Sequence, residues 1–207
     1  KNLGSSARDF LSAEEYTGLS VEIAYVEGFK PSTTTLNNLR TFFNERLNKP
    51  DGITFKETIV PATTSGSLNR EEYVKIENDN RTLFNTGDEL AVWIFFADQN
   101  SESDEGNTRI LEKTLQEFSG RIGGANLTLL ESITTQHEFG HLFGLVNLGT
   151  EMVRPHEDQQ PDSSNNEIIK DNKHCNQEDC LMYFQTVGDA LGGRMTTLPA
   201  FDEFCLE

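Results

Sequence analysis

Apolar and polar residues alternate along two stretches of the first sixty positions. The alternation covers residues 20–27 and 53–60, and a period of two is typical of a strand with one polar face. A third stretch, residues 89–97, is apolar throughout from Leu90 onward, which is typical of a strand buried on both faces. The sequence therefore predicts three strands, with residues 89–97 at the centre of the sheet.

A period of three to four residues, which is typical of helices, appears between these strands and again in the second half of the chain. It covers residues 36–47, after hydroxyl side chains that can cap a helix. It returns over about residues 126–143. Residues 69–78 and the tail 198–207 predict shorter helices, the last with Pro199 in its first turn. Strands and helices together predict a fold of the α/β class.

Two polar stretches show no clear period. Residues 98–107 are rich in acidic and small side chains, and a surface loop is favoured over a calcium site because their spacing matches no known calcium loop. A structural Ca²⁺ ion is therefore only an alternative. Residues 145–173 predict a long loop, and residues 108–125 fit a strand as well as a helix.

Charge and composition narrow the functional classes. The 207 residues include 34 acidic and 17 basic side chains, for a net charge of −17, which repels phosphate backbones, so nucleic acid is not an expected partner. No apolar run reaches about 18 residues, so no transmembrane segment is predicted. The three cysteines, Cys175, Cys180 and Cys205, predict one disulfide and one free thiol, with the pairing left open.

The residues with the clearest chemistry lie in a short segment of the predicted helix 126–143. His137 and His141 are four positions apart, which on a helix places both imidazoles on one face, one turn apart. Both can then bind one zinc ion, and Glu138 stands next to the first ligand, where a carboxylate can take a proton from water. Catalytic zinc usually has a third protein ligand, so one more is expected elsewhere in the chain.

The extended segment 137–144 resembles the metzincin zinc peptidases, whose pattern is HExxHxxGxxH followed by a turn that contains methionine. At the position of the third family histidine this chain has Asn147, and an amide is a poor zinc ligand. The later segment 174–182 has the pattern HCx4CxM of the archaemetzincins and is similar to the end of the matrix metalloproteinase signature. The resemblance implies one signature split by an insertion between Asn147 and His174.

The resemblance implies the architecture of a single zinc-peptidase domain. The implied fold is α/β and metzincin-like, with a twisted mixed sheet, backing helices and an active-site helix. An N-terminal lobe would cover about residues 1–144, and a small irregular C-terminal lobe about residues 145–207. Met182 is expected to form a hydrophobic base beneath the metal. The archaemetzincins bind a second zinc ion with four cysteines, and because this chain has three, a second zinc ion is not expected.

The resemblance also implies the reaction. A zinc metalloendopeptidase is expected, in which one catalytic Zn²⁺ ion is held by His137, His141 and His174. The zinc-bound water that cleaves the peptide bond would be activated by Glu138. The expected partner is a protein or peptide substrate, bound by a monomer. The family resemblance and the possible disulfide favour a secreted or cell-envelope location.

Three alternatives stay open. His156, which lies in the insertion, could replace His174 as the third ligand. Residues 166–171 match the NExxxD motif of the gluzincins, which would make Glu167 the third ligand of a peptidase of that class. The last alternative is a zinc-stabilised binding module without catalysis, although such a module has no need of a base at Glu138.

Overall fold

The computed structural model describes residues 6–63, 67–101, 109–110, 115–116, 127–159 and 172–207, which form a mixed α/β structure. Within these residues the strands are β1 (Gly18–Val26), β2 (Gly52–Val60), β3 (Ser67–Leu68), β4 (Glu89–Phe96), β5 (Asn100–Ser101) and β6 (Arg109–Ile110). The helices are α1 (Ala7–Leu11), α2 (Thr33–Arg46), α3 (Arg70–Asn80), α4 (Leu127–Leu142), α5 (Thr186–Leu191) and α6 (Glu203–Leu206).

A parallel sheet forms the centre of the fold. Its strand order is β2-β1-β4-β6, and every pairing between these strands is parallel in the described residues, whereas a mixed sheet was expected. The three long strands, β1, β2 and β4, confirm the strands predicted over 20–27, 53–60 and 89–97. The short strands β3 and β5 pair in a separate two-stranded parallel sheet.

Helices on both faces of the sheet explain the apolar character of its central strands. On one face, alternate residues of β1 and β4 pack against apolar residues of α2 and α4. On the other face, Trp93 and Phe95 of β4 pack against Tyr73 of α3. β4 is therefore buried along nearly its whole length, as a strand between two helical layers requires. The edge strand β2 is mostly exposed or partly exposed.

Side-chain caps define where the next two helices begin. The Ser32 hydroxyl accepts a hydrogen bond from Thr35 N at 3.1 Å, at the start of α2, as the hydroxyl-rich sequence predicted. α3 begins with a capping box, in which Asn69 and Glu72 each accept a hydrogen bond from the other's main-chain N–H. These caps satisfy N–H groups that the first turn of a helix leaves unpaired.

The C-terminal helix is shorter than predicted. α6 begins after Asp202, whose carboxylate accepts a hydrogen bond from Cys205 N at 2.9 Å. Pro199 therefore lies before the helix and not in its first turn, because the aspartate cap sets the starting point.

Among the helices of the described residues, none has both the length and the apolar character that crossing a bilayer demands.

The longest helix, α4, confirms the helix predicted over about 126–143. It is joined to α2 through the buried carboxylate of Glu131, which accepts hydrogen bonds from Ser32 N at 3.0 Å and from the Thr35 hydroxyl. Two residues after its end, Gly144 has a φ of +75°, a left-handed conformation that glycine adopts without steric cost. The last two turns of α4 are thus fixed against the core, and they carry the candidate site.

Candidate metal centre

His137 and His141 lie on the last two turns of α4, on the same side of the helix. Their ring centroids are 4.9 Å apart, the distance expected from side chains one helical turn apart. His137 is 4% exposed, so its ring is almost completely removed from water. The pair predicted from the sequence spacing is therefore present.

The segment 172–183, here called the returning segment, brings His174 to the same place. Its ring centroid lies 5.2 Å from that of His137 and 5.0 Å from that of His141, and one nitrogen of each ring lies within 4.8 Å of the others. Lys173 has a φ of +60°, which non-glycine residues rarely adopt, and its N–H donates to a carboxylate oxygen of Glu157 at 2.8 Å. The structure thus brings together the three histidines implied by the family resemblance.

Main-chain carbonyl groups orient two of these rings. Nδ1–H of His137 donates to the Leu181 carbonyl at 2.8 Å, and Nδ1–H of His174 donates to the Asn172 carbonyl at 2.6 Å. Both bonds leave Nε2 with its lone pair, as is typical of zinc-binding histidines. Nδ1 of His141 is buried and has no hydrogen-bond partner among the described residues.

Burial keeps the three imidazoles neutral at neutral pH. Desolvation lowers the pKa of His137 to about 4 and the pKa of His141 to about 3. Desolvation also lowers the pKa of His174 below its ordinary value. Neutral imidazole is the form that binds metal ions, and three protein ligands are typical of catalytic zinc. The chemistry of this donor set therefore fits a zinc ion.

Met182 packs directly against the turn of α4 that separates the two helical histidines. A Cβ atom placed on Gly140 would lie 2.2 Å from Met182 Sδ, so the glycine is what allows the methionine to come this close. Met182 is completely buried. Glu138, on the same turn, is partly buried and adjoins His137 in the sequence.

The alternatives to His174 as third ligand are His156, which lies in the described part of the chain, and Glu167, which does not. Asn147 is exposed, with a φ of +60°. His156 lies next to Cys205, with 3.6 Å between Nε2 and Sγ, so the structure does not bring it to the three-histidine group. Glu167 and its NExxxD motif lie outside the described residues.

Asp98 begins the acidic stretch 98–107, where a calcium site is the alternative to a surface loop. It is buried, and its carboxylate accepts hydrogen bonds from the N–H and the hydroxyl of Thr63 at 3.0 and 2.7 Å. It therefore joins the end of β4 to the segment after β2. Residues 102–107 lie outside the described part of the chain.

A second group of metal-binding side chains lies beside the histidines. The Sγ atoms of Cys175, Cys180 and Cys205 and one carboxylate oxygen of Asp202 lie within 4.8 Å of one another. All three cysteines are free, and the Sγ atoms of Cys180 and Cys205 are 3.6 Å apart, far beyond the S–S bond of about 2.05 Å. The predicted disulfide is therefore wrong, and the secreted location loses the support that a disulfide would have given.

Hydrogen bonding distinguishes the three thiols. The thiols of Cys175 and Cys205 lower the pKa of Cys180 through hydrogen bonds, and the main-chain N–H groups of Asp202 and Met182 add to this effect. The hydrogen bonds among the three thiols also raise the pKa of Cys175 and of Cys205. Donors that converge on one sulfur stabilise its thiolate. Sequence reasoning missed this group, although three cysteines within the last third of the chain were a signal that could have indicated it.

What the centre can do follows from its own residues, which are a group of three imidazoles and a group of three thiols with Asp202. Comparison of the chain with protein-family models, with curated proteins and with solved structures finds no match in any of the three.

Proposed function

We propose that the chain is a zinc-dependent endopeptidase of metzincin-like architecture, in which His137, His141 and His174 hold the ion and Glu138 is the catalytic base. The observation that carries the proposal is the convergence of three imidazoles, one buried and two partly buried, from one helix and one returning segment. A shared metal ion explains why three of the four histidines of the sequence come together in one place.

The reaction divides between the ion and the protein. A zinc ion bound at such a site supplies a Lewis acid, which polarises a peptide carbonyl and lowers the pKa of a water to about 7. The Glu138 carboxylate accepts the proton of the attacking water and then returns it to the leaving amine. The Leu181 carbonyl fixes the His137 ring through Nδ1–H and makes Nε2 the better donor.

The base is tested by Glu138→Gln, which keeps the shape of the side chain and removes its basicity. We expect the variant to retain its zinc ion and to cleave casein or a quenched peptide about 10²–10⁴-fold more slowly, the usual contribution of a general base. Glu151→Gln is the matched control, since Glu151 is exposed on the segment after α4. Undiminished cleavage by Glu138→Gln would refute the proposed role, and a zinc-loaded wild type that cleaves no peptide would indicate the non-catalytic binding module.

The third ligand is tested separately by metal content. His174→Ala is expected to lower the zinc bound at the histidine site, whereas Glu167→Ala is expected to leave it unchanged. The opposite pattern would favour the gluzincin alternative. His137→Ala is the positive control, because His137 is a zinc ligand whether the third ligand is His174 or Glu167.

A further inference from the structure

The three free cysteines have no part in the proposed hydrolysis, yet they converge in the interior. Cys175 and Cys180 are 0% exposed and Cys205 is 7% exposed. The Sγ atoms of Cys180 and Cys205 are 3.6 Å apart. Two sulfurs bound to one tetrahedral zinc ion at about 2.3 Å each lie roughly 3.8 Å apart. The spacing therefore fits a shared metal ion.

Two side chains compete for the fourth position of this sulfur group. Oδ2 of Asp202 lies 3.3 Å from Sγ of Cys175, but its Oδ1 already accepts the N–H of Cys205 at 2.9 Å and caps α6. Nε2 of His156 lies 3.6 Å from Sγ of Cys205, while its Nδ1–H donates to the Arg154 carbonyl at 2.8 Å. The lone pair of the imidazole is thus directed by a main-chain group, as in known zinc ligands.

Burial and charge favour the histidine. His156 is 3% exposed, whereas Asp202 is partly exposed. Three thiolates, an aspartate and Zn²⁺ would have a combined charge of about −2, and replacing the aspartate by neutral imidazole changes this to about −1. Burying the additional charge is costly, and the chain already has a net charge of −17. Cys₃His is also a common donor set of structural zinc sites.

We propose that Cys175, Cys180, Cys205 and His156 bind a second, structural zinc ion, with Asp202 supporting the site as the cap of α6. The ion joins three separate parts of the chain: the segment after α4, the returning segment and the C-terminal helix. The backbone already aligns the first two, because Asp158 N donates to the His174 carbonyl at 2.8 Å and Asn176 N to the His156 carbonyl at 2.9 Å.

This ion also positions the histidine site. Cys175 follows His174 directly, and Cys180 precedes Leu181, whose carbonyl fixes the ring of His137. The Cys175 N–H donates to the Met182 carbonyl at 2.7 Å. Loss of the structural ion is therefore expected to weaken metal binding by the three histidines as well. This last consequence rests on the proposed function, whereas the sulfur site itself does not.

The site is tested on the full chain with Zn²⁺ and Co²⁺ as probes. Wild type is expected to bind two zinc ions per chain, and cobalt substitution is expected to give the near-ultraviolet thiolate-to-cobalt absorption that a site of nitrogen ligands lacks. The double variant His137→Ala/His141→Ala should keep this absorption and one zinc ion. Because that variant lacks the proposed catalytic site, its result is independent of whether the chain is a peptidase. Wild type without thiolate-to-cobalt absorption would overturn the proposal.

Point variants identify the fourth ligand. His156→Ala should weaken zinc binding at the sulfur site by more than about 100-fold, because it removes a ligand, whereas Asp202→Asn should weaken it by about 10–100-fold at most, the usual effect of an outer-sphere partner. His156→Cys supplies another zinc ligand and should retain the ion even where the alanine variant fails to fold. Loss of the ion from Asp202→Asn together with its retention by His156→Ala would refute histidine ligation.

Discussion

Gly140 is the position where a single methyl group tests the arrangement beneath the histidines. The alanine Cβ in Gly140→Ala would lie 2.2 Å from Met182 Sδ and 3.2 Å from both Met182 Cε and Phe201 Cε1. The shortest of these distances is about 1.5 Å less than a normal contact between non-bonded heavy atoms. Met182 is completely buried, so its side chain cannot move aside into solvent.

Two opposing contributions set the size of the effect. Alanine is favoured over glycine inside a helix by about 1 kcal/mol, whereas overpacking a well-filled core costs about 1–3 kcal/mol. Gly140→Ala is therefore expected to lower the free energy of unfolding by up to about 2 kcal/mol, which corresponds to a fall in Tm of up to about 4–8 °C for a chain of this size. The methyl group gains helix propensity and still destabilises the protein.

The same displacement should reach the proposed metal ligands. Leu181, which precedes Met182, holds His137 through its carbonyl at 2.8 Å. A shift of the methionine moves this partner, and loss of an outer-sphere partner typically costs about 10–100-fold in metal affinity. Competition with a chelator should therefore show weaker zinc binding by Gly140→Ala.

The control is Gly188→Ala in α5, where a Cβ atom would meet nothing within 4 Å. This variant should be as stable as wild type or more stable, because only helix propensity changes. Met182→Ala should remove the clash, so Gly140→Ala is expected to cost less in that background, with a coupling free energy of about 1 kcal/mol or more. Strictly additive variants, or a Gly140→Ala protein with wild-type stability and zinc affinity, would refute the packing argument.

Two further predictions concern buried polar groups. Glu22→Gln should destabilise the protein by about 1.5–3 kcal/mol at neutral pH, because the Glu22 carboxylate accepts the N–H groups of Thr82 and Leu83, both at 2.9 Å. Burial raises the pKa of Glu22, but hydrogen bonds to the carboxylate outweigh this effect and hold the pKa below the ordinary 4.5. The difference in free energy of unfolding between wild type and Glu22→Gln should therefore shrink as the pH falls through the pKa of Glu22. Urea titrations that show the same difference at every pH would contradict this. Lys49→Met should cost about 2–5 kcal/mol, because the ammonium donates to three main-chain carbonyls at 2.6–2.7 Å; unfolding within about 0.5 kcal/mol of wild type would contradict it.

The strands could be predicted because the burial of each strand follows from the apolar pattern of its own consecutive residues. A strand covered on both faces needs apolar side chains at consecutive positions, and residues 89–97 show that pattern. The all-parallel pairing could not be predicted in the same way, since a strand's own residues do not determine which strand it pairs with or in which direction. The start of α6 was misjudged for a similar reason, because Asp202 acts as a cap only through its hydrogen bond to Cys205.

The candidate site divides along the same line. His137 and His141 follow from helical spacing alone, since residues four apart share a face. His174 could be named only through the family resemblance, because its approach depends on a chain reversal at Lys173 with a φ of +60°. Nothing in the identity of a lysine predicts that conformation, which Glu157 and the neighbouring pairing hold in place.

The cysteines show how counting residues of one type can mislead. Three thiols considered only against one another predict a disulfide and one free thiol, yet in the fold the imidazole of His156 lies 3.6 Å from Cys205 Sγ and the carboxylate of Asp202 lies 3.3 Å from Cys175 Sγ. His156 comes from another segment, so its approach cannot be read from sequence spacing. Because the returning segment supplies His174 to one group and two thiols to the other, the order of metal loss is informative. If the structural ion positions the histidines, a chelator that removes it first must also weaken the binding of zinc by the three histidines. Removal of the histidine-bound ion should instead leave the ion at the sulfur site in place.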